Sequence, residues 1–453
     1  MRPWGLATPI MTLIVCLPLL RPLRTAVIPD DERWRLATIQ ALAGGKGLAI
    51  DETPFPLPES TQAEATAAMR RQGPRYSQQP PVMAALLAGP YWLMERCGLG
   101  FRSNITLATY LLTLLGVTVP VAMAGGLVYR MGRLFELRRS RRMMLAMATV
   151  FGSGLISYAT VLNAHAPAAA LVLASCAALL HAGTVARDRG CFLWLAVSGF
   201  MAAMAAAFDP GAAAFLLLLV VVILAMRWPG SMRAGGVIWY VLGALPPIAL
   251  HVALMVAYAP GSAPAEVYRP APRPPVVSES EEPDEEDLPP SATATAIGHF
   301  MGGLLGARGM LSHFPILLLG VGGIATVLHR HWPIPTKALA TVCLLGALAV
   351  MVASAYVQGD WNQPMFTVRW FVVFLPLLMY WGGAFLRRDH HVAVWTAAAI
   401  VFGFSVVTGL LGAAAPFTRS WPGEYTARAA VRQIMHPKTP FQDSLPVVAK
   451  GQD

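Results

Sequence analysis

Three kinds of side chain in this 453-residue sequence stand where chemistry can be done at a membrane surface. The first is a run of acids, Asp30-Asp31-Glu32, ahead of the apolar series Trp34, Leu36, Ala37, Ile39 and Leu42. A carboxylate held at the edge of a bilayer is partly desolvated, which brings it toward the range where a general base works. The same acids also read as an N-cap favoured by the helix dipole. The second kind is arginine beside a long apolar stretch: Arg369, Arg308 and, more weakly, Arg75. A guanidinium binds phosphate through two parallel hydrogen bonds, or it snorkels from a span to the headgroups. The third is histidine near a span end, His165 and His313, which either donates to a phosphate or forms structural hydrogen bonds. Tyr76 suits an acceptor groove or an interfacial anchor. Asp209, in Asp209-Pro210-Gly211, reads as a cap for the next helix.

The signatures of other chemistries are missing from the sequence. No Cys or His pair has metal-ligand spacing, no Gly-x-x-x-x-Gly-Lys loop cradles a phosphate, and no Gly-x-Ser-x-Gly elbow presents a nucleophile. Neither a metal nor a cofactor is expected. Cys16, Cys97, Cys176, Cys191 and Cys343 fall mostly within apolar stretches and indicate no disulfide framework.

The elements that must position these residues are apolar. Charged residues make up 13% of the chain and hydrophobic ones 56%, where a soluble protein carries roughly a quarter charged residues. Mean hydropathy is +0.54. The expected fold is an all-α polytopic membrane protein, because charge-free stretches of the ~20 residues needed to cross hydrocarbon recur along the chain. They lie near 4–24, 105–129, 143–162, 167–186, 191–208, 210–226, 236–258, 310–329, 338–357, 370–386 and 391–413, about eleven transmembrane helices in all. Alternate short loops carry Arg130, Arg133, Arg138, Arg139, Arg141 and Arg142, then Arg187 and Arg189, Arg227 and Arg233, Arg330 and Lys337, and Arg387 and Arg388. Cationic loops stay inside, so the N-terminus is in and the C-terminus out. The net charge of +10 therefore reports orientation, and no nucleic acid partner is expected.

Residues 1–24 form the first transmembrane helix, which lacks a small-x-small cleavage site and reads as a retained span. Residues 25–104 form an external loop with two amphipathic surface helices, one at Trp34 to Leu42 that stops at Gly44-Gly45 and one at Val82 to Met94. Residues 105–258 hold spans two to seven. Residues 259–309 form an external loop whose Pro-rich, acidic insertion, Glu279 to Asp287, is expected to be disordered. Residues 310–413 hold spans eight to eleven, and 414–453 form an external tail with a short helix at Tyr425 to Met435.

Several strings occur together in order: Pro29-Asp30-Asp31-Glu32-Arg33-Trp34, Gly47-Leu48-Ala49-Ile50-Asp51 and Gly73-Pro74-Arg75-Tyr76-Ser77-Gln78-Gln79-Pro80-Pro81. Later come Gly303-Leu304-Leu305-Gly306-Ala307-Arg308-Gly309-Met310-Leu311-Ser312-His313-Phe314-Pro315, then Trp361, Arg369-Trp370-Phe371 and Leu375-Pro376. The set resembles the membrane glycosyltransferases of the GT-C superfamily, in the bacterial branch related to protein mannosyltransferases and the lipid A aminoarabinose transferase. It departs from the pattern at Asn362-Gln363-Pro364, at Trp370 and in the acidic insertion.

The resemblance implies a GT-C-like fold and an enzyme that moves a sugar from a polyprenyl-phosphate donor, a membrane lipid, to a protein, lipid or glycan acceptor. It places that reaction on the external face of the cytoplasmic membrane. The family's catalytic carboxylate maps onto Asp31, with Glu32 and Asp30 as neighbours that either orient it or bind a cation. Arg369 and Arg308 lie in the matching strings and would hold the leaving phosphate, with Arg75, His165 and His313 as further donors. Tyr76 and Trp361 would line the acceptor side or the interface. The alternative is a transporter or flippase for a lipid-linked sugar. Such a protein usually keeps ionisable residues near mid-span, and here only His251 and His181 lie well inside a span.

Overall fold

The computed structural model describes residues 4–20, 30–50, 76–77, 79–184, 190–226, 232–258, 292–356, 365–418, 420 and 423–435. Arg75, Trp361 and the acidic insertion lie outside the described residues. Among the described residues the regular structure is helical, apart from one isolated antiparallel bridge between Ala49 and Tyr76.

In chain order the principal helices are α1 (Trp4–Leu19), α2 (Asp30–Ala43), α3 (Pro81–Arg96), α4 (Phe101–Phe135), α5 (Arg139–Met147), α6 (His165–Thr184), α7 (Gly190–Phe208) and α8 (Ala213–Ala225). They continue as α9 (Met232–Tyr258), α10 (Ala292–Leu305), α11 (Leu317–His329), α12 (Ile334–Tyr356), α13 (Leu375–Tyr380), α14 (Val392–Ala414) and α15 (Thr426–Met435). Six of them, α4, α6, α7, α9, α12 and α14, are long and apolar enough to cross a membrane. A bent pair, Thr295–His313 with Leu317–His329 at 97°, would make a seventh. Gly5–Leu19, Pro210–Ala225 and Leu375–Leu386 are apolar but shorter.

Two expected crossings are broken. In the stretch 143–162 the helix runs to Gly152, only a 3₁₀ turn at Ile156–Tyr158 follows, and the break falls at Gly154, which takes a φ of +86°. A Cβ there would lie 2.6 Å from the Phe314 ring, so both the dihedral and the packing require glycine. The stretch 370–386 divides into a 3₁₀ turn, Arg369–Val373, then α13 and a last turn, Gly383–Leu386.

Helix contacts in the core are close where small residues permit it. A Cβ on Gly199 of α7 would fall 1.9 Å from the Tyr240 carbonyl oxygen of α9, and one on Gly243 would fall 1.9 Å from that of Ala196. Backbone approach of this kind replaces the hydrophobic drive that lipid cannot supply. The outward faces carry exposed apolar side chains such as Leu217, Val256 and Ile400, as expected of a surface that lipid covers.

One end of the bundle gathers the basic loops. Arg387 Nη2 donates to Glu136 Oε2 at 2.6 Å and its guanidinium lies over the Trp332 ring, while Arg141 donates to the Leu386 carbonyl and pairs with Asp389. Trp332 in turn packs edge-on against Phe135, so the loops after α4, α11 and α13 meet there. The end where α4 and α6 begin carries α2 and α3, and there the candidate acids are found.

Candidate functional site

In the α2 helix Leu36, Ala37, Thr38 and Ile39 are all buried, and four consecutive residues point to nearly every side of a helix, so this stretch is enclosed by the rest of the protein. Gly45 stops it in the left-handed conformation, φ +72°. Glu32, in the first turn, is buried, and its Oε1 accepts the backbone N–H of Leu162 at 3.0 Å. The carboxylate thereby joins α2 to the irregular segment before α6. Asp31 belongs to the same first turn, and its side chain lies outside the described residues.

One turn further along stands Arg35, which the sequence analysis did not single out. It is 3% exposed, with Nη1 donating to Met83 Sδ at 3.3 Å and Nη2 to Gln79 Oε1 at 3.2 Å. Its Nε has no hydrogen-bond partner among the described residues. Burial pulls the guanidinium down to about 10, against the opposing pull of the Asp209 and Glu32 carboxylates. The sequence does carry a signal for it: a charge whose neighbours one and two turns on, Ile39 and Leu42, are apolar, and which stands three residues after Glu32, where helical neighbours meet.

The hinge before α6 supplies the next groups. Asn163 Nδ2 donates to the carbonyls of Tyr158 and Val161, and its Oδ1 accepts the Ala166 N–H at 2.9 Å, which caps α6. His165 Nδ1 lies 2.5 Å from Asp209 Oδ2, and Asp209 Oδ1 accepts the Gly211 N–H at 2.9 Å. Asp209 is thus the helix cap that its Asp-Pro-Gly setting suggests, and also the partner of His165. Glu32, Arg35, His165 and Asp209 form one polar cluster under the start of α2.

Arg369 opens a 3₁₀ turn that packs against α6 and touches the turn Pro210–Ala212. It is nearly buried, its guanidinium sits over the Trp370 ring at 5.3 Å, and burial lowers it to about 10. Just before it, Thr367 accepts the Tyr158 hydroxyl at its carbonyl, 2.6 Å. Arg308 lies within electrostatic reach of that tyrosine, and its Nη2 donates to Ser420 Oγ at 3.0 Å. The structure therefore brings His165 and Glu32 together and puts Arg369 and Arg308 on neighbouring elements.

His313 is placed apart from the cluster. Its Nδ1 meets the Gly309 carbonyl at 2.9 Å and its Nε2 the Thr426 hydroxyl at 2.7 Å, with Tyr425 stacked on the ring at 4.3 Å. Nε2 thereby ties the ring to the start of α15, and Nδ1 to the carbonyl of its own turn. Tyr76 pairs through its backbone with Ala49, beyond the end of α2. Among the described residues no group of three His, Cys, Asp or Glu side chains could hold a metal ion.

No protein-family model matches the chain, and no curated protein matches it in sequence. In structure it is similar to the oligosaccharyltransferase of Archaeoglobus fulgidus, solved by crystallography in the apo form, with a TM-score of 0.53 and 11% identity. The likeness is one of fold. It covers 92% of this chain and 57% of the archaeal one, so this chain spans little more than half the length of that protein. At 11% identity it bears on the fold alone and does not select the bacterial branch that the motifs suggest.

Proposed function

We propose that this chain is a multi-pass membrane glycosyltransferase that transfers a sugar from a polyprenyl-phosphate carrier to an acceptor hydroxyl at the external surface of the cytoplasmic membrane. The observation that carries the reading is the cluster of Glu32, Arg35, His165 and Asp209 at the end where α4 and α6 begin, in a fold similar to that of an oligosaccharyltransferase. The arginine-rich loops at the other end read as cytoplasmic by their charge, which supports an external position for the cluster. The eleven-crossing topology belongs to this proposal.

In the reaction the acceptor oxygen attacks the anomeric carbon, its proton passes to the Asp31 carboxylate, and the bond from that carbon to the phosphate oxygen breaks. Glu32 fixes the first turn of α2 through Leu162 and so orients Asp31. The polyprenyl phosphate leaves with the bonding pair, and Arg369 and Arg308 hold its charge. A flippase would need titratable groups along a path through the bilayer; here the buried acids and arginines gather at one end, which favours surface chemistry. Purified protein supplied with a panel of polyprenyl-phosphate sugars and no nucleotide sugar tests the proposal. Sugar transfer to an acceptor supports it, and movement of the intact lipid across the bilayer without transfer overturns it.

A further inference from the structure

The turn between α4 and α5 carries six arginines from Arg130 to Arg142 and a single acid, Glu136. The loop beside it, after the Gly383–Leu386 turn, adds Arg387, Arg388 and one further acid, Asp389. Both acids are taken up by the arginines that staple these loops together. Arg387 Nη2 donates to Glu136 Oε2 at 2.6 Å, and Arg141 pairs with Asp389 while its Nη1 donates to the Leu386 carbonyl. Arg142 turns inward, with its guanidinium over the Tyr129 ring at 4.7 Å. Arg130, Arg133, Arg138 and Arg139 are exposed, and no hydrogen bond or ion pair engages their side chains among the described residues. Asp389 acts on Arg138 through space alone.

The turn presents these four rigidly. Glu136 takes a left-handed φ of +55°, which side chains rarely adopt, and the bond from Arg387 holds it there. Phe135, just before it, is fully buried against Trp332, Tyr380 and Trp381. After the turn α5 starts with no side-chain cap and no acid in its first turn; Arg138 stands at the cap position and Arg139 next. Cations at a helix N-terminus oppose the helix dipole, and an anion at that place relieves both. Below the arginines the wall is apolar. Met123 lies seven residues before Arg130, on the same side of α4 and about 10 Å along its axis, and it is exposed, as is Met144 of α5.

We infer that this turn is a binding site for anionic phospholipid, with Arg130, Arg133, Arg138 and Arg139 holding the headgroup phosphate and the acyl chains lying over α4 and α5. A guanidinium meets a phosphate through two parallel hydrogen bonds, and here no carboxylate in contact competes for the four. Side chains set on a fixed turn lose less freedom on binding than side chains on a loose loop. The apolar wall directly beneath the arginines selects a lipid over a soluble anion, because the same molecule satisfies the charge above and covers the exposed methionines below. The site lies at the opposite end of the bundle from the Glu32, Arg35, His165 and Asp209 cluster, and the inference does not rest on sugar transfer.

The test uses the full chain in nanodiscs made of equal parts phosphatidylcholine and phosphatidylglycerol. Native mass spectrometry after extraction into detergent counts the lipid that stays bound. Phosphatidylglycerol should exceed its supplied share on the wild-type protein, and the excess should shrink as salt is raised. A basic residue near the membrane surface is worth about fivefold in affinity for anionic lipid. Arg130→Gln with Arg133→Gln, and Arg138→Gln with Arg139→Gln, should therefore each weaken phosphatidylglycerol binding by about tenfold or more. The matching lysine pairs, which keep the charge, should lose less. Arg102→Gln, at an exposed arginine on the other end of α4, should change nothing. Lipid retained by the wild-type protein in the supplied ratio overturns the site, whether or not the glutamine variants insert, and so does an excess indifferent to both glutamine pairs. A protein that selects phosphatidylglycerol yet transfers no sugar overturns the enzyme reading alone.

Discussion

His165 Nδ1 lies 2.5 Å from Asp209 Oδ2, joining the first residue of α6 to the residue that follows α7 across 44 positions of sequence. The same carboxylate accepts the Gly211 N–H through its other oxygen. One buried side chain therefore locks two helix ends at the place where Glu32 accepts the Leu162 N–H. Asp209→Ala removes both bonds and leaves a half-buried imidazole unpaired, a loss of about 1–3 kcal/mol by the usual cost of an unmade buried hydrogen bond. The melting temperature in detergent should fall by several degrees, and Asp209→Asn, which keeps an acceptor for Gly211, should fall less.

Arg35 ties stability to function. Its guanidinium is the buried charge that faces the Glu32 and Asp209 carboxylates, and removing one member of a buried charge cluster leaves the others uncompensated. Arg35→Met should lower both the melting temperature, by several degrees, and sugar transfer per folded molecule, by about tenfold or more, through loss of the charge that faces Glu32 and Asp209, whereas Arg35→Lys should keep more of each. A lower melting temperature with unchanged transfer would make Arg35 a purely structural residue.

For His313 a different pattern is expected. Its ring is fully buried between Gly309, Thr426 and Tyr425. His313→Ala should cost about 2–4 kcal/mol from the cavity and the two lost hydrogen bonds. Transfer per folded molecule should stay near the wild-type value. Thermal unfolding and activity measured on the same preparation separate the two quantities.

Much of this architecture is legible in the residues, and the failures have a common cause. The apolar pattern from Trp34 to Leu42 and the Gly44-Gly45 stop give α2 its correct end at Ala43, because the signal and the cap are local. Tyr425 to Met435 gives α15 within one residue. The break at Gly154 is invisible in composition, since it is fixed by the Phe314 ring lying 160 positions later. The pairing of His165 with Asp209 is hidden for the same reason, although Asp209 could be read as a cap from Pro210 and Gly211 alone. Arg35 was readable as a charge on an apolar face; its burial beneath Met83 and Gln79 was not.

Orientation can be checked with the native thiols. Among the five cysteines, Cys97 is exposed and Cys16, Cys176, Cys191 and Cys343 are buried. Cys97 closes α3, at the end opposite the arginine-rich loops. A membrane-impermeant maleimide added to intact cells should therefore label the wild-type chain at Cys97, and Cys97→Ser should abolish the labelling. Labelling that appears only after the membrane is opened would place the cluster on the cytoplasmic side.

The most direct test of the account is sugar transfer from a polyprenyl-phosphate donor by Asp31→Asn beside the wild-type protein, each purified and matched for melting temperature. Loss of a positioned general base should lower the turnover rate by about 10²–10⁴-fold, with the folded state and Cys97 labelling unchanged. Turnover at the wild-type rate in Asp31→Asn would contradict the assignment of the reaction to the first turn of α2.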